Sequence, residues 1–307
     1  MKRSIAALIL PLLLLAACGD ASEATGDRKL SVVATTGMIG DAAKEIGGEL
    51  IEVTTLMGPG VDPHLYKASA GDVGRLNGAD LVLYNGLHLE AAMAEVLQET
   101  QNLNAVAVAE NINESELLRP AEFGGQFDPH VWFDVSLWSV AVEQVREALV
   151  ELDPDNADAY RANADTYLGE LAELHDYVTE QALRIPENRR VIITAHDAFN
   201  YLGRAYGLEV RGLLGISTAA EAGTRDISEL AAYIAERQIP AIFVETSVSS
   251  RSIDAVRAAV RSNGFEVKIG GELFSDALGD AGSVEGTYQG MVRHNIDTLV
   301  RALGEGS

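Results

Sequence analysis

The chain has 307 residues, 47% of them hydrophobic, enough to bury a sizeable core in one large domain or two of ordinary size. Its 46 acidic residues against 23 basic ones leave a formal net charge of -23. That excess argues against nucleic acid or a polyanionic surface as the main partner, since phosphates would be repelled, whereas a negative field concentrates cations.

Lys2 and Arg3 precede an apolar run over 5–17 that contains Pro11. The run is shorter than the roughly 20 residues a membrane-spanning helix needs, and it has the form of a secretory signal. It ends in Leu15-Ala16-Ala17-Cys18, which looks like a bacterial lipobox: small residues suit the signal peptidase, and the cysteine thiol accepts the lipid. Cys18 is the only cysteine, so a chain cleaved before it can form no intramolecular disulfide. Residues 1–17 are thus expected to be a lipoprotein signal peptide. Residues 18–28, small, polar and acidic, are expected to form a flexible tether behind the lipidated Cys18. The protein should be exported and anchored to a bacterial membrane, facing the periplasm or the cell exterior.

Short apolar runs then alternate with helical patterns, which predicts βα units and mostly parallel sheets. Strands are expected at 30–35, 51–57, 81–84 and 105–108, with helices at 37–49 and 68–77 between them. The run Leu81-Val82-Leu83-Tyr84 is continuously apolar, as in a strand covered on both faces. Further on, Tyr160, Tyr167, Leu171, Leu174 and Val178 fall on one face of a long helix over 156–185, opened by Asp153-Pro154 and closed by Pro186. Such a helix would run roughly 45 Å at ~1.5 Å per residue. In place of a flexible linker it implies two lobes with limited relative motion. After it, strands are expected at 191–194, 209–213, 241–245 and 265–268, and helices at 197–206, 224–237, 252–263 and 287–303. The expected organisation is a first lobe over 29–153, a linking helix over 154–186 and a second lobe over 187–307.

Six histidines are scattered along the chain, with no His-rich tract. Two tripeptides match, Asp62-Pro63-His64 and Asp128-Pro129-His130. In each, proline fixes the backbone before the histidine, and the aspartate can orient the loop or the ring. Gly58-Pro59-Gly60 places the first on a turn, and Asp134 can cap a helix after the second. One such histidine more often serves only its turn; two in matched settings argue for a shared role. His196 sits where an apolar strand gives way to a helix, the end of an α/β strand at which ligand sites gather. Glu272, Asp276 and Asp280 fall four apart, and chemistry alone does not choose among them. His88, His175 and His294 are expected to stay outside any site, His175 as a solvated side chain and His294 in a structural hydrogen bond. Trp132 and Trp138 read as core or lobe-interface packing.

Taken in order, Asp62-Pro63-His64, Asp128-Pro129-His130-Val131-Trp132, Ala195-His196-Asp197-Ala198-Phe199 and Gly271-Glu272-Leu273-Phe274-Ser275-Asp276 resemble the motifs of metal-specific solute-binding proteins called cluster 9 or cluster A-I. So do Gly282-Ser283-Val284-Glu285-Gly286-Thr287-Tyr288 and Asn295-Ile296-Asp297-Thr298, and the likeness spans about residues 29–304. The resemblance implies two α/β lobes joined by one rigid backbone helix, with His64 and His130 from the first lobe and His196 and Asp276 from the second holding a metal between them. It also implies the metal-capturing component of an ABC importer, working with a membrane permease; the chain is expected to be a monomer, with no nucleic acid partner given its charge. The third ligand position varies in the family, a glutamate in many manganese binders and a histidine in many zinc binders. The subgroup most resembled, TroA-like, is associated with both metals.

Three neutral imidazoles and one carboxylate suit a borderline divalent ion such as zinc, manganese or iron(II), whereas calcium and magnesium want oxygen ligands. Asp62, Asp128, Asp197 and Glu245 are candidates for the acceptors that hold the rings. A zinc hydrolase is the enzyme alternative, but it needs an open coordination position and no His-Glu-x-x-His motif is present. A surface adhesin with incidental metal binding is the other alternative, and no adhesive surface is marked in the sequence.

Overall fold

A computed structural model describes residues 28–99 and 104–304. The expected signal peptide, Cys18 and the tether up to residue 27 lie outside the described residues.

In the first lobe, β1 (Leu30–Ala34), β2 (Ile51–Thr55), β3 (Leu81–Tyr84) and β4 (Ala105–Ala107) form one parallel sheet in the order β2-β1-β3-β4. The central strands β1 and β3 are continuous apolar runs, and Val32, Val33, Leu81, Val82 and Leu83 are all buried, as a sheet covered on both faces requires. Helices α1 (Gly37–Gly47), α2 (Ala70–Gly78) and α3 (Ala94–Glu99) connect these strands. A capping box closes the start of α2, where Ser69 Oγ accepts from Asp72 N and Asp72 Oδ2 accepts from Ser69 N. After a long connection comes α4 (Val135–Leu152), whose N-cap is Asp134: its Oδ1 accepts from Ser136 N at 3.1 Å.

The linking helix, α5, spans Ala157–Leu183. Its 27 residues reach about 40 Å. Tyr160, Tyr167, Leu171, Leu174 and Val178 are buried along one face, each contributing roughly 1.5–3 kcal/mol by removal from water. This face packs on α1 and α4 of the first lobe and on α6 (Asn200–Tyr206) and α9 (Tyr288–Leu303) of the second. One apolar cluster therefore runs through both lobes, taking in Val32, Trp132, Leu171, Phe243 and Ile296. A shared core of this kind lets the lobes rock but not swing freely.

In the second lobe, β5 (Val191–His196) pairs in parallel with β6 (Glu209–Leu214), and β7 (Ala241–Glu245) with β8 (Lys268–Leu273). Helices α7 (Thr224–Arg237) and α8 (Arg251–Ser262) cover a smaller core that includes Ile193, Ile234 and Val256. The strand expected at 265–268 is found instead at 268–273, because Gly270-Gly271 does not break it but builds a bulge. Ile242 faces Ile269 and Phe243 faces Gly271, which leaves Gly270 as the extra residue. A Cβ at Gly270 would lie 2.6 Å from the Phe243 ring, and Gly271 takes φ +148°, so glycine is required twice. Helix α6 starts at Asn200, so 197–199 form a turn after His196. No helix of the described residues is long and apolar enough to cross a membrane.

Candidate metal centre

His64 lies on the turn after β2, His130 on the short turn before α4, His196 at the last position of β5 and Asp276 just beyond β8. Three of the four thus stand at or beyond the carboxyl ends of parallel strands, where the backbone leaves the sheet and side chains can converge. All four are buried, with exposures of 5% for His64, 0% for His130 and His196 and 2% for Asp276. Glu272 and Asp280, the alternatives to Asp276 at four-residue spacing, are exposed.

One ligand-type atom from each of the four residues lies within 4.8 Å of the other three, the one such group of three or more found among the described residues. His64 Nε2 and His130 Nε2 are 3.3 Å apart. His130 Nε2 is 3.4 Å from Asp276 Oδ1, and His196 Nε2 is 3.3 Å from Asp276 Oδ2. Bonds of about 2.0–2.1 Å to a tetrahedral ion place donors roughly 3.3–3.4 Å apart, so these contacts have the spacing of a coordination shell. His196 Nε2 and Asp276 Oδ1 are buried without a well-formed hydrogen bond. Buried polar atoms are normally paired, and both of these belong to residues of the cluster.

Two carboxylates hold two of the rings. Asp128 Oδ1 accepts from His130 Nδ1 at 2.7 Å and from His130 N at 3.0 Å, while its Oδ2 accepts from Asn200 Nδ2 at 3.0 Å. Glu245, at the end of β7, accepts with Oε1 from Ala195 N at 2.7 Å and His196 N at 2.9 Å. Its Oε2 is 2.6 Å from His196 Nδ1, as an ion-pair contact and not an in-line hydrogen bond. Placing the proton on each Nδ1 leaves each Nε2 lone pair facing the centre.

Asp62 and Asp197 do not hold rings as expected. Asp62 folds back on its own turn, Oδ1 accepting from His64 N at 2.9 Å, and its Oδ2 is taken by Thr218 Oγ1 at 2.6 Å. Asp197 accepts from Gly212 N at 2.5 Å, so it ties β5 to β6. The two matched tripeptides share this turn, but only Asp128 also reaches its histidine ring. The expectation of a solvated His175 is likewise corrected: the residue is half-buried, with Nδ1 3.2 Å from Tyr206 Oη. His294 Nε2 is 3.1 Å from Glu272 O, the structural bond expected, and His88 is exposed.

The protonation states differ among the three rings. Burial is the main reason the His64 imidazole is pushed down to about 3; Asp276 opposes this, and the neighbouring His130 and His196 add to it. Burial also presses down on His130, but Asp128 and Asp276 outweigh it and leave that ring raised above its ordinary value. His196 is raised well above its own by Glu245 and Asp276, again against burial. Burial opposes ionisation of Asp276, yet His196 and His130 hold it well below the usual carboxylate range.

Three residues at the site were missed by the sequence reading. Ser247 Oγ lies 3.3 Å from Asp276 Oδ2, Thr218 bonds Asp62 across the lobes, and Asn200 steadies Asp128. Asn200 alone was open to suspicion, since it lies four residues after His196 at the start of a helix.

Comparison with known proteins gives a consistent result. The chain is 53% identical over 282 residues to the zinc-binding protein TroA of Treponema pallidum, covering 92% of this chain and 91% of that one. It is 48% identical over 301 residues to the manganese-binding lipoprotein MntA of Bacillus subtilis, covering 97% and 98%. The solved structure of the periplasmic zinc-binding protein TroA from Treponema pallidum superposes with a TM-score of 0.89, over 91% of this chain and all of that one. Residues 32–302 match the family model described as zinc-uptake complex component A, periplasmic. The chain belongs to that family, the ZnuA family of metal-binding proteins.

Proposed function

We propose that the chain is the extracytoplasmic component of an ABC importer that captures one divalent transition metal, zinc or manganese, and delivers it to a membrane permease. The observation that carries this reading is the buried cluster of His64, His130, His196 and Asp276, with its ligand atoms within 4.8 Å of one another. We assign those four residues as the ligands. Cys18 is the proposed lipid attachment, in keeping with the lipobox-like sequence before it. The site is complete within one chain, which supports a monomer. Four protein ligands leave no open position for a reacting water, which favours a carrier over a hydrolase. For an adhesin, deleting the ligands should leave adhesion intact; for an importer, it should abolish uptake.

Zinc binds most sites of this kind more tightly than manganese, so affinity in vitro does not identify the cargo. The deciding measurement is the metal content of protein purified from its native membrane, beside the same assay on His196→Glu. Stoichiometric zinc or manganese is expected in the wild type, with a shift toward manganese in the variant because an added carboxylate favours the harder ion. No stoichiometric transition metal in either protein would overturn the reading.

Metal capture should also release protons. In the metal-free protein His130 and His196 are held above their ordinary value of 6.5, whereas His64 is already neutral at pH 7. Loading must therefore displace whatever protons these two raised rings carry, so affinity should rise with pH. The metal-free form should behave oppositely. Groups raised in the folded state stabilise it fully below the unfolded value, and that stability is lost as pH rises through the folded value. Calorimetry in buffers of different ionisation enthalpy measures the protons released, and thermal melting against pH tests the metal-free form. A pH-independent affinity between pH 6 and 8 would contradict the assignment.

A further inference from the structure

The four candidate ligands divide between the lobes, so the shell's geometry depends on something that sets the lobes' separation. One side chain is placed to do this. Trp132 lies two residues after His130 and is 1% exposed. Its indole Nε1 donates at 3.1 Å to the carbonyl oxygen of Ser275, the residue just before Asp276. Its ring also packs edge-on to the His130 imidazole, centroids 5.2 Å apart. Trp132 thus touches one proposed ligand directly and is bonded to the backbone that carries another, in the opposite lobe.

The peg is held from behind. Tyr288, the first residue of α9, donates from Oη to the carbonyl oxygen of Trp132 at 2.7 Å. Tyr288 N in turn donates to Asp41 Oδ2 on α1 at 2.8 Å, and its ring lies against Trp138 of α4, centroids 5.3 Å apart. Tyr288 is fully buried. Asn295, about two helical turns further along α9, accepts from Phe274 N at 2.9 Å and donates to Phe274 O at 2.7 Å. The backbone at Phe274, just before Ser275, is therefore fixed to α9, and α9 is pinned to the first lobe.

We infer that Trp132 is a positioning residue that sets the distance between His130 and Asp276 across the lobes, and so governs how fast a bound metal is released. The inference rests on the metal-binding reading proposed above. A shell made by two lobes loosens when they part, and the Trp132–Ser275 bond is lost only when they do. The carbonyl of Ser275 is buried, so opening the lobes without water entering leaves it unpaired.

The test is zinc release from the full chain, measured by transfer to a chromophoric chelator, in wild type, Trp132→Phe and Tyr288→Phe. Trp132→Phe keeps an aromatic ring and removes the N–H. Release about fivefold to tenfold faster is expected, the size of one lost hydrogen bond, with a smaller acceleration in Tyr288→Phe. A residue that merely supports the fold would lower the melting temperature of metal-free and zinc-loaded protein equally. A positioning residue shrinks the rise in melting temperature that zinc produces. Unchanged release in a folded Trp132→Phe overturns the inference but leaves metal binding standing; a wild type that takes up no zinc overturns the metal-binding reading itself. If neither variant folds, hydrogen exchange of the Trp132 indole N–H in the wild type decides. Protection that zinc increases supports the inference, and free exchange in the loaded protein ends it.

Discussion

Alanine at His130 should weaken metal binding by about two orders of magnitude. A structural zinc site contributes roughly 10–16 kcal/mol, and an even share among four ligands is about 3 kcal/mol each, near a hundredfold in affinity. The substitution has a second cost that separates His130 from His64 among the proposed ligands. It strands Asp128, which is 0% exposed and loses its ring partner while keeping Asn200. Removing one member of a buried pair costs about 3–5 kcal/mol, so the metal-free protein should melt at a lower temperature as well. His64→Ala should lose a similar share of affinity with less effect on the fold, because Asp62 bonds the backbone of His64 and not its ring. Competition against a chelator, with melting of the metal-free forms, checks both parts. Equal affinity in wild type and His130→Ala would remove this residue from the site.

Glu245→Ala should be nearly as damaging although Glu245 lies outside the proposed ligand set. Its carboxylate receives two backbone N–H groups at the end of β5 and lies against Nδ1 of His196. Removing it leaves those donors unpaired in a site where they are buried, and it frees the His196 ring to turn. A loss of about 10- to 100-fold in affinity is expected from the ring's freedom alone. Glu245→Gln separates the two effects: the amide oxygen still serves the main chain, but the charge that supports His196 is gone. Melting of the Gln variant should fall less than that of the Ala variant, with affinity reduced in both. Wild-type affinity in Glu245→Ala would mean that the β5 terminus holds His196 without help.

Much of the fold is legible in the chain because it is written in local patterns. The stripe from Tyr160 to Val178 has the 3.6-residue period of a helix and is the face buried between the lobes. The unbroken Leu81-Val82-Leu83 run is a central strand. The shifted strand near 268 shows the limit: two adjacent glycines signal a break, and only the partner strand and the Phe243 ring reveal that they form a bulge. The same limit separates Asp62 from Asp128. Both make the turn that Asp-Pro-His dictates, but whether the second oxygen meets Thr218 or Asn200, and whether the first also reaches a histidine ring, depends on segments far away in the chain.

By itself the sequence determined the alternation of strands and helices, the long linking helix, and the histidine loops at strand ends, since each follows from spacing and turn chemistry among near neighbours. It also contained the motif order that identifies the family. Tertiary structure alone decided which carboxylates support the rings, why Asp276 and not Glu272 or Asp280 enters the cluster, and how Trp132 ties one lobe to the other. Asp128 lies two residues from the ring it holds, but Glu245–His196 and Trp132–Ser275 join residues 49 and 143 positions apart, set by burial and lobe packing, and no local period or motif spacing encodes them.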